Sequence, residues 1–421
     1  MQKKNAPNPS LRSFLKAGVV GIGGMTFGMP FGLSLTHAET RYSFIDANHH
    51  VSGTNRRWIQ EAIKTMWRDR EQAGITPLIK LDCPFDKKIS IYLKDESKSR
   101  TESLKHRVAW ALIMHALIEG KIGPKTHLYE ASSGNTAIGE AYFAKLLNLP
   151  FTAVMNPGVS EGKLRAIRGY GGHTEIVTQN MTPAAFIRRA MDEQPLSYNI
   201  NQFANAEKAL DFYKGHPAAT MNMANEIYLQ LKHSDHRCPQ WFVAGAGSGG
   251  TATSIARYVR KWADYEGSCP ANIAVVDPED SVLMNWFKTG DATLSVSKGS
   301  RIEGIGSRGP IIMGSTFSLL REGIDKMIKI PDADSIAAMR LVSNLVGFDV
   351  GPSTGTNFCG AVSIAREMHQ SGQSGAIVTI ICDGGLRYTD NYYNTSWLAQ
   401  SGLNSDESQK RIQRLWFGTT N

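Results

Sequence analysis

The chain has 421 residues, of which 42% are hydrophobic and 20% are charged, as expected for a soluble globular protein of two or three domains. Its formal net charge is +8, yet no stripe of clustered Lys and Arg with interleaved aromatic residues occurs, which excludes the usual pattern of a nucleic-acid-binding protein. Four cations precede the first acid, so the charge falls to +4 without residues 1–38.

Residues 1–38 predict an export signal. A basic start precedes an uncharged run from Ala17 to Leu35, and residues 36–38 offer a small-x-small cleavage site. Residues 10–16 resemble a twin-arginine signal, with Leu11 where the first arginine would stand. The apolar run is just long enough for a membrane anchor, but its glycines and Pro30 favour a cleaved signal. We expect a periplasmic protein, or a cytoplasmic one if the signal is not used.

The cysteines are widely spaced and form neither a CxxC pair nor a zinc-like cluster with histidines. A domain of this size does not need a disulfide framework. We therefore expect no metal site. All the cysteines are predicted to be buried free thiols: Cys83, Cys238, Cys269, Cys359 and Cys382.

Helical and β-rich segments alternate along the rest of the chain. Helices are predicted over residues 55–74, 105–119, 134–147, 249–262 and 335–346. Strands are predicted over residues 90–93, 127–129, 151–155, 174–177, 241–244, 273–276 and 376–381. This alternation predicts an α/β fold with mostly parallel sheets that are covered on both faces by helices. Residues 288–314, rich in Gly and Ser, form a stretch long enough to be a functional loop.

A glycine-rich turn, residues 244–251, follows a predicted strand and opens a helix. Its glycines allow the backbone N–H groups to approach an anion, and Ser248 and Thr251 add hydroxyl donors. It lacks the Lys-Ser/Thr ending of a nucleotide P-loop, and Asp277 lies too far along the chain for a dinucleotide fingerprint. The alternative is a tight turn that only packs a helix closely.

Two further polar turns open helices. Residues 130–136 carry hydroxyls and amides suited to a carboxylate, and Asn135 could also reach a ring hydroxyl. Ordinary N-cap chemistry is the alternative for this run. Residues 351–357 form the third turn. Three such turns, two of them directly after strands, indicate a cleft at the carboxyl edge of an open sheet.

Lys105 stands at the beginning of a predicted helix, where the helix dipole disfavours a positive charge. That field, with Arg107 nearby, is expected to lower the proton affinity of the amine, as a Schiff-base or general-base lysine requires. A solvated surface lysine is the alternative for this residue taken alone.

Taken together, these segments resemble the fold-type II pyridoxal-phosphate enzymes of the cysteine synthase and cystathionine β-synthase family. The resemblance covers roughly residues 75–400, with its landmarks in the family's order. Residues 103–107 match the Ser-x-Lys-x-Arg segment of the Schiff-base lysine, residues 132–136 the substrate-carboxylate loop, and residues 247–251 the phosphate loop. Residues 302–306, 350–355 and 382–388 match the remaining cleft-lining segments.

The resemblance implies that pyridoxal 5′-phosphate is bound as a Schiff base to the catalytic Lys105. The cofactor-binding residues that it implies are Lys105, Asn135, Gly247, Ser248, Gly249, Gly250, Thr251 and Asp383. The substrate-binding residues that it implies are Ser132, Ser133, Gly134, Asn135, Thr136 and Gly304.

The resemblance also implies two doubly wound three-layer αβα domains and a homodimer. We expect an N-terminal helix and lead-in strands over residues 39–95, packed on the large domain. The smaller domain, with the substrate loop, is expected over 96–215 and the larger, with the phosphate loop, over 216–400, followed by a C-terminal tail at 401–421.

One departure from the family concerns the pyridine nitrogen of the cofactor, which the family usually contacts with a Ser in a Pro-Ser or Asp-Ser motif. Here Gly384 stands at the matching position, preceded by Asp383. Contact with Asp383 would favour a protonated pyridinium and a stronger electron sink. Alternatively, Asp383 caps the turn after the strand, and water or Cys382 takes that place.

The sequences of residues 92–96, 140–144 and 301–306 resemble those of the bacterial cysteine desulfhydrases. This resemblance implies β-elimination from L-cysteine to sulfide, pyruvate and ammonia. Attack by a thiol or sulfide in place of water would give β-replacement, as in cysteine synthase. A non-catalytic binder of the cofactor or of amino acids at the cell envelope is the alternative from another class, against which the intact Lys105 and phosphate turn argue.

Overall fold

We analysed a computed structural model of the protein, which describes residues 53–159, 161–206, 220–260, 270–312 and 317–418. The chain divides into Met1–His50 and Val51–Asn421, and all described residues belong to the second unit. The predicted export signal therefore lies outside the described residues, as does Cys269.

The strands of the described residues form two sheets, and most of them coincide with predicted strands. In chain order they are β1 Leu78–Asp82, β2 Ile89–Asp95, β3 His127–Ala131, β4 Phe151–Met155, β5 His173–Ile176, β6 Ser197–Asn199, β7 Pro239–Gly245, β8 Asn272–Pro278, β9 Lys326–Ile330 and β10 Gly375–Ile381. The large sheet has the order β1-β2-β10-β7-β8-β9, and the small sheet has the order β5-β4-β3-β6. Only the β1–β2 pair is antiparallel.

Helices connect the parallel strands, as crossover connections require. They are α1 Gly53–Ala73, α2 Lys105–Ile118, α3 Asn135–Leu146, α4 Glu161–Gly169, α5 Pro183–Glu193, α6 Gln202–Asn205, α7 Met223–Leu231, α8 Gly250–Tyr258, α9 Leu283–Thr289, α10 Asp332–Val346, α11 Pro352–Gln370, α12 Thr395–Ser401 and α13 Asp406–Phe417. Side-chain oxygens of Thr182, Asn222, Asn394 and Ser405 accept hydrogen bonds from N–H groups in the first turns of α5, α7, α12 and α13.

Both faces of the large sheet are apolar and covered. Successive residues of a strand point to opposite faces, so Ile91 and Leu93 join the core under α10 and α11, whereas Tyr92 joins the core under α7 and α8. In the same way, Val243 joins the core under α10 and α11, and Phe242 joins the core under α7 and α8. Burial on two faces explains why these strands have nearly continuous apolar sequences.

The small sheet is covered in the same manner. Leu128 and Ala153 pack with residues of α1, α2 and α3, whereas Tyr129 and Val154 pack with Ile187 of α5. The fold is thus α/β with two mostly parallel sheets, each lying between helices, as the sequence predicted.

Three strands escaped prediction. The edge strand β1 and the short β6 are only partly buried, and β9 mixes lysines with apolar residues, so none carries a long apolar run. Residues 290–312, within the predicted loop, contain no helix or strand. The region predicted as a C-terminal tail contains α13, whose Ile412 and Trp416 are buried in the core of the large sheet.

The prediction of free thiols is wrong for Cys238, which is disulfide-bonded. Cys83, Cys359 and Cys382 are free and buried, as predicted. Spacing misled the prediction because two distant cysteines reveal a bond only when the fold brings them together.

No helix of the described part of the chain combines the length and the apolar character that a membrane span requires.

Candidate active site

A cavity of about 470 Å³ lies at the carboxyl ends of the parallel strands of both sheets. Its wall includes residues that follow β3, β7 and β10, together with the first residue of α2. The three polar turns of the sequence therefore meet at one place. This is the expected position of a ligand site in an open α/β sheet.

Lys105 enters this cavity from the beginning of α2. The backbone N–H of Leu104 donates to the carbonyl of Cys382 (2.8 Å), which joins the start of the helix to the end of β10. Gly139 of α3 makes room for α2, because a Cβ atom there would lie 2.9 Å from the Cβ of Ala109. The close packing of these helices brings Lys105 next to the turn that opens α3.

The Lys105 amine has neither a hydrogen bond nor a salt bridge with any described residue. Burial lowers the pKa of this amine, and the nearby Cys382 and Asp383 only partly oppose the shift. The sequence predicted a lowered pKa from the helix dipole together with the nearby Arg107, and the direction is confirmed, but burial is the main cause. The Arg107 guanidinium is bound to the carboxylates of Glu96 and Glu226.

Arg107 belongs to a buried ionic cluster with Glu96, Glu226, Lys94 and Arg70. Its guanidinium donates to Glu96 Oε2 (2.8 Å) and to both carboxylate oxygens of Glu226 (2.8 Å each). Lys94 Nζ lies 2.8 Å from Glu226, and Arg70 donates to the same carboxylate. Burial disfavours the charge, but Arg107 and the other cations outweigh it and lower the pKa of Glu226 to about 2. The cluster fixes the first turn of α2, from which Lys105 projects.

The glycine-rich turn after β7 has the shape of an anion cradle. Gly249 has φ +87°, and a Cβ there would lie 2.4 Å from the backbone nitrogen of Leu319. A Cβ at Gly247 would lie 2.3 Å from the carbonyl oxygen of Gly304. Glycine is therefore required at both positions, and the N–H groups that begin α8 remain open to the cavity.

The turn after β3 connects to a buried hydrogen-bond chain. Thr136 Oγ1 donates to Gln202 Oε1 (2.6 Å), and the backbone N–H of Gln202 donates to Glu130 Oε2 (3.1 Å). Burial raises the pKa of Glu130 to about 7. Burial and the neighbouring Glu130 charge raise the pKa of Glu140 well above its ordinary value. The turn after β3 thus rests on a pair of buried carboxyl groups.

Asp383 lies beside Asn135 at the end of β10. Its Oδ2 accepts from Asn135 Nδ2 (2.5 Å) and from the Tyr388 hydroxyl (2.6 Å), while Arg387 donates to Asn135 Oδ1. Its Oδ1 is buried and has no hydrogen-bond partner in the described part of the chain. Burial raises the pKa of this carboxyl. Asp383 thus has one buried oxygen without a partner, and this oxygen packs against Gly351.

Residues 70–383 match the family described as pyridoxal-phosphate-dependent enzymes. The chain belongs to this family.

Proteins similar to this chain include enzymes named for cysteine desulfhydration, for hydrogen sulfide production and for cystathionine synthesis. An L-cysteine desulfhydrase of Mycobacterium tuberculosis is 40% identical over 357 residues, which cover 84% of this chain and 93% of the relative. A hydrogen sulfide-producing enzyme from Fusobacterium nucleatum superimposes with a TM-score of 0.62 at 25% identity, over 78% of this chain and 97% of its own. An O-acetylserine-dependent cystathionine β-synthase from Helicobacter pylori gives a TM-score of 0.61 at 27% identity, over 76% and 97%.

The residues present fit pyridoxal 5′-phosphate. The glycine cradle suits a phosphate, because its backbone lines the cavity and the N–H groups at the beginning of α8 are typical donors to an anion. The buried amine of Lys105, without a hydrogen-bond partner among the described residues, suits an aldehyde. Residues 247–251 would hold the phosphate, and Lys105 would hold the aldehyde carbon.

The structure brings nearly all predicted site residues to the same cavity. These are Lys105, Ser132, Gly134, Asn135, Thr136, Gly247, Ser248, Gly249, Gly250, Thr251, Gly304 and Asp383. Ser133 is the exception, because it lines an adjoining cavity of about 580 Å³ instead. Neighbouring residues of a turn that opens a helix point in different directions, which spacing alone does not reveal.

Several cavity residues were not predicted as site residues. Ser353 and Asn357 lie on the third polar turn, whose sequence gave no role to either residue. Asn357 donates to Cys382 Sγ (3.2 Å). Lys163 and Glu303 also line the cavity, from distant parts of the chain. Glu303 belongs to residues 302–306, which the family resemblance placed in the cleft, whereas Lys163 carries no such signal because a lone Lys is an ordinary surface residue.

Proposed function

We propose that the protein eliminates the β-substituent of L-cysteine and releases sulfide, pyruvate and ammonia. The observation that carries this proposal is the Lys105 amine, which is buried, has no hydrogen-bond partner among the described residues and lies on the same cavity wall as the phosphate cradle and the substrate loop. The 40% identity with a cysteine desulfhydrase over most of both chains supports cysteine as the substrate.

When bound, pyridoxal phosphate supplies an aldehyde that joins to amines and a ring that accepts electron density from the substrate α-carbon. The chain supplies the base. A buried Lys105 amine with a lowered pKa is neutral more readily than a surface lysine, so its Nζ is able to accept the α-proton of the substrate. The Cβ–S bond then breaks, and the sulfur leaves as hydrosulfide.

The turn after β3 orients the substrate. We expect the Ser132 hydroxyl and the N–H groups of the turn to bind the substrate carboxylate at the beginning of α3, where the helix dipole favours an anion. The Thr136 hydroxyl donates to Gln202 instead, which fixes the turn and so prearranges these donors. Ser133, which faces the adjoining cavity, is expected to contribute through its backbone.

β-Replacement is a second candidate activity. The structural likeness to an O-acetylserine-dependent cystathionine β-synthase, at 27% identity, favours it. The residues proposed above serve both reactions, because elimination and replacement differ only in whether water or a thiol reacts after the sulfur has left. The adjoining cavity offers space for such a second reactant.

The two reactions are separated by incubation of the holoenzyme with L-cysteine alone, with sulfide and pyruvate measured together. Equal release of both supports elimination. Activity only with O-acetylserine and sulfide would support replacement instead. Absence of product with every β-substituted amino acid would contradict both and favour a binding protein. Lys105→Ala is the control variant, since it retains the cavity without the amine.

We propose in addition that the protein is exported and that its leader is cleaved. The basic, then apolar residues 1–38 support this, and so does the disulfide at Cys238, because disulfides persist mainly in oxidising compartments. The mass of the protein recovered from the periplasmic fraction tests the proposal. Full-length protein confined to the cytoplasm would contradict it.

The family resemblance also supports a homodimer, which light scattering of the purified holoenzyme would test. A mass equal to one chain would refute it.

A further inference from the structure

The cavity that holds Lys105 adjoins a second cavity of about 580 Å³, and both are lined by Ser132, Lys163 and Glu303. The second cavity lies over the carboxyl end of β4 and reaches Asp390 and Trp397. A reactant that passed between the two cavities would move past Lys163 and Glu303.

Lys163 and Glu303 form an ion pair at this boundary. Lys163 Nζ lies 2.6 Å from Glu303 Oε2, and the side chains are 21% and 37% exposed. Lys163 comes from α4, beside the small sheet, whereas Glu303 comes from the loop that precedes β9 of the large sheet. The pair therefore spans the cleft between the two sheets.

Glu303 is held in place on its own side of the cleft. Its backbone N–H donates to the Tyr392 hydroxyl (3.2 Å), and its Oε1 accepts from Asn391 Nδ2 (3.4 Å). Because these hydrogen bonds already hold the Glu303 carboxylate in position, no side-chain ordering is needed for it to pair with the Lys163 ammonium.

The described lining of the second cavity carries a net negative charge. Its charged residues are one cation, Lys163, and two anions, Glu303 and Asp390, which gives a formal charge of −1. Because Lys163 is already paired, it is not available to attract a carboxylate from solution.

From this arrangement we propose that the Lys163–Glu303 pair is a charge filter that admits neutral thiols to the Lys105 cavity and disfavours anionic thiols. The proposal rests on the proposed function. In the replacement reaction the Cβ–S bond of cysteine breaks, a new Cβ–S bond forms to the incoming thiol, and the proton of that thiol leaves with the sulfide. The filter decides which thiol arrives.

The test compares 2-mercaptoethanol, which is neutral, with mercaptoacetate, which carries a carboxylate. Formation of the S-substituted cysteine from L-cysteine gives a KM for each thiol. We expect Glu303→Gln to lower the KM for mercaptoacetate about tenfold relative to that for 2-mercaptoethanol, since an unpaired ammonium then faces the carboxylate. Lys163→Gln should give no such gain.

Two further variants distinguish a charge filter from a structural tie, that is, an ion pair that only holds the two sides of the cleft together. Exchange of the two charges in Lys163→Glu with Glu303→Lys should restore the discrimination of the wild type. Glu61→Gln breaks an exposed ion pair with Lys64 (2.7 Å) on α1 and should leave the KM ratio unchanged. A structural tie would change the KM of both thiols alike, and that result in Glu303→Gln would overturn the proposal.

Calorimetric titration of the holoenzyme with each thiol gives dissociation constants without turnover. This measurement tests the charge filter even if cysteine is not the substrate. The ratio of the two dissociation constants should shift in Glu303→Gln, and an unchanged ratio would refute the filter. Sulfide release from cysteine alone, measured on the same wild-type preparation, separately reports on the proposed function.

Discussion

The carboxyl pair beneath the turn after β3 should make the protein less stable as the pH rises. Glu130 on β3 and Glu140 on α3 are almost completely inaccessible to solvent, with 1% and 0% exposure. Neither carboxylate oxygen of Glu140 has a hydrogen-bond partner among the described residues. An ionised Glu140 would be an uncompensated buried charge, so this group retains its proton and Glu130 ionises first.

The magnitude follows from the pKa of Glu130, which burial raises from 4.5 to about 7. Between these values the folded protein keeps a proton that the unfolded chain has released. The resulting stabilisation is therefore complete below pH 4.5 and is lost as the pH rises to 7. It amounts to about 3 kcal/mol in all, most of it within the range from about pH 5 to pH 8.

Urea unfolding of the holoenzyme at a series of pH values measures this loss. Glu130→Gln removes the titrating group and retains an oxygen for the N–H of Gln202. Between about pH 5 and pH 8, the free energy of unfolding of this variant should therefore fall by about 2 to 3 kcal/mol less than that of the wild type. Glu140→Gln should reduce the pH dependence as well, because burial raises the pKa of Glu140 and this group also keeps a proton that the unfolded chain releases. Parallel stability curves for wild type and Glu130→Gln would refute the reasoning.

Four further changes test the site. Lys105→Ala should abolish the visible absorbance of the cofactor–lysine bond, and a retained band would mean that another lysine carries the cofactor. Gly249→Ala, which forces a Cβ to 2.4 Å from the Leu319 nitrogen, should weaken cofactor binding by about tenfold or more in a fluorescence titration, unlike a glycine substitution outside the cavity. Glu226→Gln leaves three buried cations short of a partner and should reduce the free energy of unfolding by roughly 3–5 kcal/mol at pH 7, measured in urea. Asp383→Asn should slow α-proton removal if Asp383 contacts the ring nitrogen, and an unchanged rate with α-deuterated cysteine would argue against that contact.

Much of the fold could be predicted from the sequence because most strands and helices have a recognisable local sequence pattern. The apolar run of β4 and the periodicity of α1 define elements without reference to the rest of the chain. The strands that escaped, such as β6, are short and gain their order from the neighbouring strand rather than from their own sequence.

The polar turns, the lysine at the start of α2 and the family to which their order belongs could all be predicted from the sequence, because glycine, hydroxyl and amide residues at the beginning of a helix carry a local chemical signal. The surroundings of these residues depend on the folded chain. Burial is the main cause of the lowered pKa of Lys105, Cys238 is disulfide-bonded, and Lys163 meets Glu303 across the cleft. These properties depend on distances between residues far apart in the chain. Charge, solvation and covalent pairing act through space, and no local pattern encodes them.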